Sequence, residues 1–161
     1  MKREIIVTGD GSVTIHLPEM KESYHSKFGA IREAYHVFIQ NGLALTNGQP
    51  VAILEIGFGT GLNAFITYLE SLKSGQQIHY TGVEAYPVAL EEALQLNYVT
   101  ELQAVEEQAV FDAMHANKWE EEAIINDKFT LIKQHKFFQD IEDTDLYDLI
   151  YFDACGYHAQ P

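Results

Sequence analysis

The sequence predicts an α/β fold: a Rossmann-like, mostly parallel sheet with helices between its strands. Three observations predict it. Short apolar runs alternate with helical patterns at βαβ spacing. One of those runs, VAILEI, is almost wholly apolar, as a strand covered on both faces is. A glycine-rich turn, Gly57 to Gly61, follows it and opens a helical pattern. The chain has 161 residues, 47% apolar and 21% charged, which is one domain of ordinary globular composition.

The elements follow in order. Glu4 to Thr8 is rich in strand formers. Asp10-Gly11 is a turn signal, and Val13, Ile15 and Leu17 alternate with polar residues, so a small N-terminal hairpin is expected. From Tyr24 to Leu43, Ile31, Tyr35, Phe38 and Ile39 share one helical face, with Gly42 placed as a C-terminal cap. Val51 to Ile56 is a strand, Leu62 to Lys73 a helix stopped near Gly75, and Ile78 to Glu84 a second strand. Pro87 suits the first turn of a helix running to about Leu96. Leu102, Val105 and Ala109 mark a further helical face reaching about Trp119. Glu120-Glu121-Glu122 reads as solvated surface. Phe129 to Ile132 is a third strand and Tyr147 to Asp153 a fourth.

This organisation is one domain over residues 1–161, with a hairpin extension at 1–23 and the core at 24–161. A doubly wound sheet has a second half comparable to its first. At least two further βα units, about 60 residues, are therefore expected beyond Asp153, so the core is expected to be truncated at its C-terminal end, the alternative being an unusually small sheet.

Charge narrows the function classes. Ten Lys and Arg against 24 Asp and Glu leave a net charge of −14. That opposes nucleic-acid binding driven by phosphate neutralisation, unless a basic patch, a basic partner or a further C-terminal segment supplies the contacts. No apolar run reaches the roughly 18 residues of a membrane span. The opening MKREIIVTGDG lacks a signal-peptide core, and the single Cys155 forms no internal disulfide, so a cytoplasmic protein is expected.

The most informative stretch is Glu55-x-Gly57-x-Gly59-x-Gly61. A dinucleotide fingerprint places its last glycine three residues after the second; here the spacing is two and two. With an acid just before it, this turn suits a ligand carrying a carboxylate, an ammonium and an adenosine better than a pyrophosphate. Glu84, ending the next strand, stands where an acid accepts hydrogen bonds from ribose hydroxyls. A ligand-free strand–helix turn and a pyridine dinucleotide site are the alternatives. Asp153 ends the fourth strand, facing the same crevice. It is the candidate to orient an amine nucleophile and take its proton, the alternative being a cap on the next loop.

None of the seven histidines (16, 25, 36, 79, 115, 135 and 158) pairs at the spacing of a zinc helix, and no metal is expected. His36 reads as packed or surface, and His25 and His158 as weak substrate contacts. Cys155 carries no mark of an activated thiol. Phe111, Met114 and Trp119 read as core. Lys133 and Lys136 are expected in a solvated loop.

LEIGFGTGLNAF, YDLIYFDA and the leading YHSKFGAIREAYHVFI together resemble the methyltransferase domain of MnmC-type enzymes, in its stand-alone form. The resemblance runs from about Tyr24 to Pro161. Its most specific pieces are Gly57-Phe58-Gly59-Thr60-Gly61-Leu62-Asn63 and the YHS…HVFI segment. It implies a class I S-adenosylmethionine-dependent methyltransferase fold. It also implies methylation of 5-aminomethyl-2-thiouridine at the tRNA wobble position. Glu55, Gly57, Phe58, Gly59, Gly61 and Asn63 would form the cofactor loop, Glu84 would hold the ribose, and Asp153 would be the acid near the transferred methyl. Tyr24 and Ser26 would lie near the cofactor. The family carries an aromatic residue two positions after that acid, followed by Ala-Pro; this chain has Cys155-Gly156-Tyr157. Methylation of another amine or small molecule, and a non-catalytic nucleotide-binding module, are the alternatives.

Overall fold

The structure, a computed structural model, describes residues 2–17, 22–23 and 29–153. Tyr24, His25, Ser26, Cys155, Gly156, Tyr157 and His158 lie outside them. The hairpin is present. Strands β1 (Glu4–Val7) and β2 (Val13–Leu17) pair antiparallel, and β3 (Glu22–Ser23) adds to β2. The expected one-sided alternation does not hold, because Thr14 is as buried as Ile15. The hairpin packs into the molecule instead of lying on it. Asn97 accepts from the Val13 amide and donates to the Gly11 carbonyl. The Asp10 carboxylate accepts from Ser12 and from the Arg32 amide at the start of the following helix.

That helix departs from the regular one expected. Helix α1 (Ala30–Ala34) passes directly into a π-helical stretch, Tyr35–Gln40, followed by a 3₁₀ turn at Leu43–Thr46. Phe38 and Ile39 are turned inward, and His36 is exposed. Gly42 is not a left-handed cap: its φ is −135°. A glycine is needed there because a Cβ would stand 2.5 Å from the Phe38 carbonyl oxygen, a backbone atom with little freedom to yield.

The main sheet has the order β6-β7-β5-β4-β8. Strands β4 (Val51–Ile56), β5 (Ile78–Glu84), β7 (Phe129–His135) and β8 (Leu149–Phe152) are parallel. Strand β6 (Glu122–Asn126) runs antiparallel to β7 at one edge. This edge strand is hidden in the acidic run: Glu120, Glu121 and Glu122 are all exposed as expected, and Glu122 is at the same time the first residue of β6. Its burial pattern is mixed, so its sequence lacks the apolar run of a covered strand.

Helix α2 (Leu62–Ser74) closes on Gly75 in the left-handed conformation, as expected. The next helical region is broken up. Pro87 precedes helix α3 (Leu90–Ala93) without entering its first turn. Helices α4 (Tyr98–Glu101) and α5 (Gln108–Ala116) are separated by the irregular segment around Gln103, whose φ is +53°. The segment expected to reach Trp119 as helix stops at Ala116, and Trp119 packs against the core from a turn. The core lies between α2, α5 and one face of the sheet. Tyr68 meets Phe129 at 5.6 Å, Phe65 meets Phe111 at 5.3 Å, and Phe38 meets Tyr151 at 4.9 Å between ring centroids. Phe111 and Met114 are core residues, as expected. Among the described residues no helix is long and apolar enough to cross a membrane.

Candidate functional site

Parallel pairing puts the ends of β4, β5 and β8 side by side. The segments leaving these three strands therefore meet at one crevice. The chain leaves β4 through Gly57 (φ +92°), Gly59 (φ +51°) and Gly61 (φ +76°). A side chain is disfavoured at all three positions. Gly57 and Phe58 donate their amides to the Val83 carbonyl at 2.9 and 3.0 Å, pinning the turn to the neighbouring strand. Gly61 donates to the Phe58 carbonyl and opens α2. The first amides of α2 therefore face the crevice, at the positive end of the helix.

Three carboxyl groups converge on this turn. Glu84, at the end of β5, accepts from the Gly59 amide at 2.8 Å with one oxygen and from the Tyr86 amide at 3.0 Å with the other. Glu55, within β4, is fully buried beneath the turn. Asp153 follows β8, held by its own amide on the Ile56 carbonyl at 2.9 Å. Asn63, in the first turn of α2, bridges the last two: its side-chain amide donates to Glu55 at 2.8 Å and to Asp153 at 2.9 Å. The other Glu55 oxygen interacts with the Tyr80 hydroxyl without a well-formed hydrogen bond, and the Asn63 carbonyl oxygen is buried without a partner.

Crowding these groups in low dielectric favours their neutral forms. Burial, with Asp153 adding repulsion, pushes the Glu55 carboxyl well above its ordinary range. Burial raises Asp153 to about 7 against the Asn63 hydrogen bond, and Glu33 and Glu84 push the same way. Burial also raises Glu84, partly offset by the Tyr86 and Gly59 amides. Burial thus holds all three carboxyl groups toward their protonated forms at this turn.

Seven of the residues named from sequence meet here: Glu55, Gly57, Gly59, Gly61, Asn63, Glu84 and Asp153. Tyr24 and Ser26 lie outside the described residues. Phe58 turns away from the crevice and packs onto the sheet over Gly82, where a Cβ would stand 2.5 Å from its ring. It is therefore a structural anchor of the turn. Sequence reasoning missed two residues behind the turn. The half-buried ring of His115, from α5, lies 2.9 Å from the Thr60 carbonyl. Lys133, expected in a solvated loop, is 1% exposed within β7, because that strand runs to His135. Continuing the alternation Phe129, Leu131 by two residues would have placed Lys133 inward. No comparable signal pointed to His115.

No protein-family model matches the chain. Over 96 residues it is 33% identical to the tRNA 5-methylaminomethyl-2-thiouridine biosynthesis bifunctional protein MnmC of Cupriavidus metallidurans, covering 55% of this chain and 14% of that protein. The protein of the same name from Leptospira borgpetersenii is 38% identical over 78 residues, covering 43% of this chain and 12% of its own length. The chain is MnmC-like. The crystal structure of MNMC2 from Aquifex aeolicus superposes on 95% of the chain with a TM-score of 0.71, at 21% identity. That likeness establishes the α/β fold. The MnmC-like chain spans half of the MNMC2 chain and about a seventh of the bifunctional relatives it matches.

Proposed function

We propose that this chain binds S-adenosylmethionine at the glycine turn and serves methylation of 5-aminomethyl-2-thiouridine at the tRNA wobble position. The observation that carries the reading is the convergence of Glu55, Glu84 and Asp153 on a turn whose three glycines all have positive φ. Such a cluster favours a ligand with ammonium and sulfonium charges over one with a pyrophosphate. The relatives' role in tRNA 5-methylaminomethyl-2-thiouridine biosynthesis supports the substrate.

The fit to the cofactor rests on the site's own chemistry. Glu84 retains acceptor capacity beyond its two backbone bonds and would take the ribose hydroxyls. The turn amides and the first turn of α2 would receive the carboxylate. Glu55 and Asn63 keep buried acceptor oxygens without a well-formed bond, suited to an ammonium. When bound, S-adenosylmethionine supplies an electrophilic methyl group. The residues then have two tasks: to hold the amine nitrogen close and unprotonated, and to remove its proton as the new bond forms. Asp153 performs both, because a carboxylate raised to about 7 is a base near neutral pH. The setting is cytoplasmic, where tRNA is modified.

One observation favours a second reading, methylation of another amine or small molecule. The net charge of −14 opposes contact with a polyanion. Incubation with methyl-labelled S-adenosylmethionine and undermodified tRNA separates the two. Label is expected in the wobble nucleoside. Label in small amines but not in tRNA would overturn the substrate assignment.

A further inference from the structure

Lys133 is a buried ammonium in a strand, and the proposed methyl transfer makes no use of it. Its position follows from the register: Lys133 is the β7 partner of Gly82, the residue on which Phe58 rests. Its Nζ donates to the His115 carbonyl at 2.9 Å and lies 4.7 Å from the centre of the Trp119 ring and 5.9 Å from that of Phe58. The His115 carbonyl belongs to the last turn of α5, where backbone acceptors lack helical partners and the helix dipole is negative. The aromatic faces take part of the remaining charge.

The contact continues to the site. With its neutral ring protonated on Nε2, His115 donates to the Thr60 carbonyl, inside the glycine turn. The same nitrogen would stand 2.9 Å from a Cβ on Gly61, so the ring fills the space that glycine leaves. Thr60 is held from a second side, its hydroxyl accepting from Tyr98 at 3.0 Å.

We infer that Lys133 is a positioning residue: by fixing the end of α5 it aims the His115 ring at Thr60 and holds the amides of Gly57 to Gly61 in the arrangement that a ligand meets. The inference rests on reading the turn as a ligand site, but the strut itself can be tested without ligand. Lys133→Met keeps the length and removes the charge. The change removes the cost of a buried charge but leaves the His115 carbonyl without its donor, two effects of opposite sign. The variant is therefore expected to melt close to the parent. Hydrogen exchange at the Gly57, Phe58, Gly59 and Gly61 amides should nonetheless rise on the order of tenfold through local opening. The Kd for S-adenosylmethionine should weaken by about the same factor. His115→Leu should behave alike, whereas His115→Gln, which keeps a donor near Thr60, should restore most of the protection. Unchanged turn exchange in both Lys133→Met and His115→Leu overturns the inference. So does faster exchange spread over the whole sheet, which would mark a merely structural residue. If the parent retains no S-adenosylmethionine, the functional reading fails, while the exchange comparison still decides the strut.

Discussion

Glu84→Ala is expected to raise the Kd for S-adenosylmethionine by about a hundredfold, the equivalent of losing about 3 kcal/mol. The size follows from two losses. The carboxylate organises the turn itself, through the Gly59 and Tyr86 amides, and in the proposed complex it also accepts from the ribose. Hydrogen bonds to a charged group contribute about 1.5–3 kcal/mol each, and the amides left behind lose their acceptor within the protein. Glu84→Gln separates the two losses. Its single carbonyl oxygen satisfies one amide but cannot serve both amides and a diol, so an intermediate Kd is expected. Calorimetric titration reads all three proteins. Affinity unchanged in Glu84→Ala would remove the ribose assignment.

The second large effect is on turnover. Asp153→Asn should lower methyl transfer on the order of a thousandfold, the scale of a lost general base. It should change cofactor affinity only slightly, since Asn keeps an oxygen for the Asn63 amide. In the parent, kcat should rise with pH through about 7 as Asp153 ionises, and in the variant that limb should disappear. Stability moves in the opposite direction. The folded chain holds this proton up to about 7, whereas the ordinary carboxyl value is 3.8. Between those values the folded state binds more protons than the unfolded state, so stability is full below the lower value and falls as pH rises to the upper. Asp153→Asn removes that decline and should melt higher than the parent at pH 8 by calorimetry. Equal losses in binding and turnover, or a melting temperature that drops, would argue against the assigned role.

What sequence could show here depended on how local each signal was. Strand β4 was legible to the residue, because a parallel strand covered on both faces is a continuous apolar run, and β5 kept its expected bounds although His79, Thr81, Gly82 and Glu84 interrupt its apolar residues. The glycine spacing marked the turn, and strand order then placed Glu84 and Asp153 on either side of it. The departures came where tertiary contacts decide. The π-helical stretch at Tyr35–Gln40 leaves the same apolar residues that an α-helix would bury, so its wider turn has no separate signature. Edge strand β6 has a mixed pattern and an acidic start. The Asn63 bridge joins groups on two strands and a helix, and no spacing within one segment could announce it. Lys133 reads as a loop residue only if the strand is ended too early. A lysine is also rarely buried without a carboxylate, and here a helix end and an indole ring take that place.

The central claim is that the carboxyl-lined glycine turn receives a cationic adenosyl ligand. Calorimetric titration of the parent chain with S-adenosylmethionine and, separately, with NAD tests it most directly. The expected result is saturable binding of S-adenosylmethionine with a Kd on the order of micromolar, and no measurable binding of NAD. Binding of NAD in preference, or of neither ligand, would contradict it.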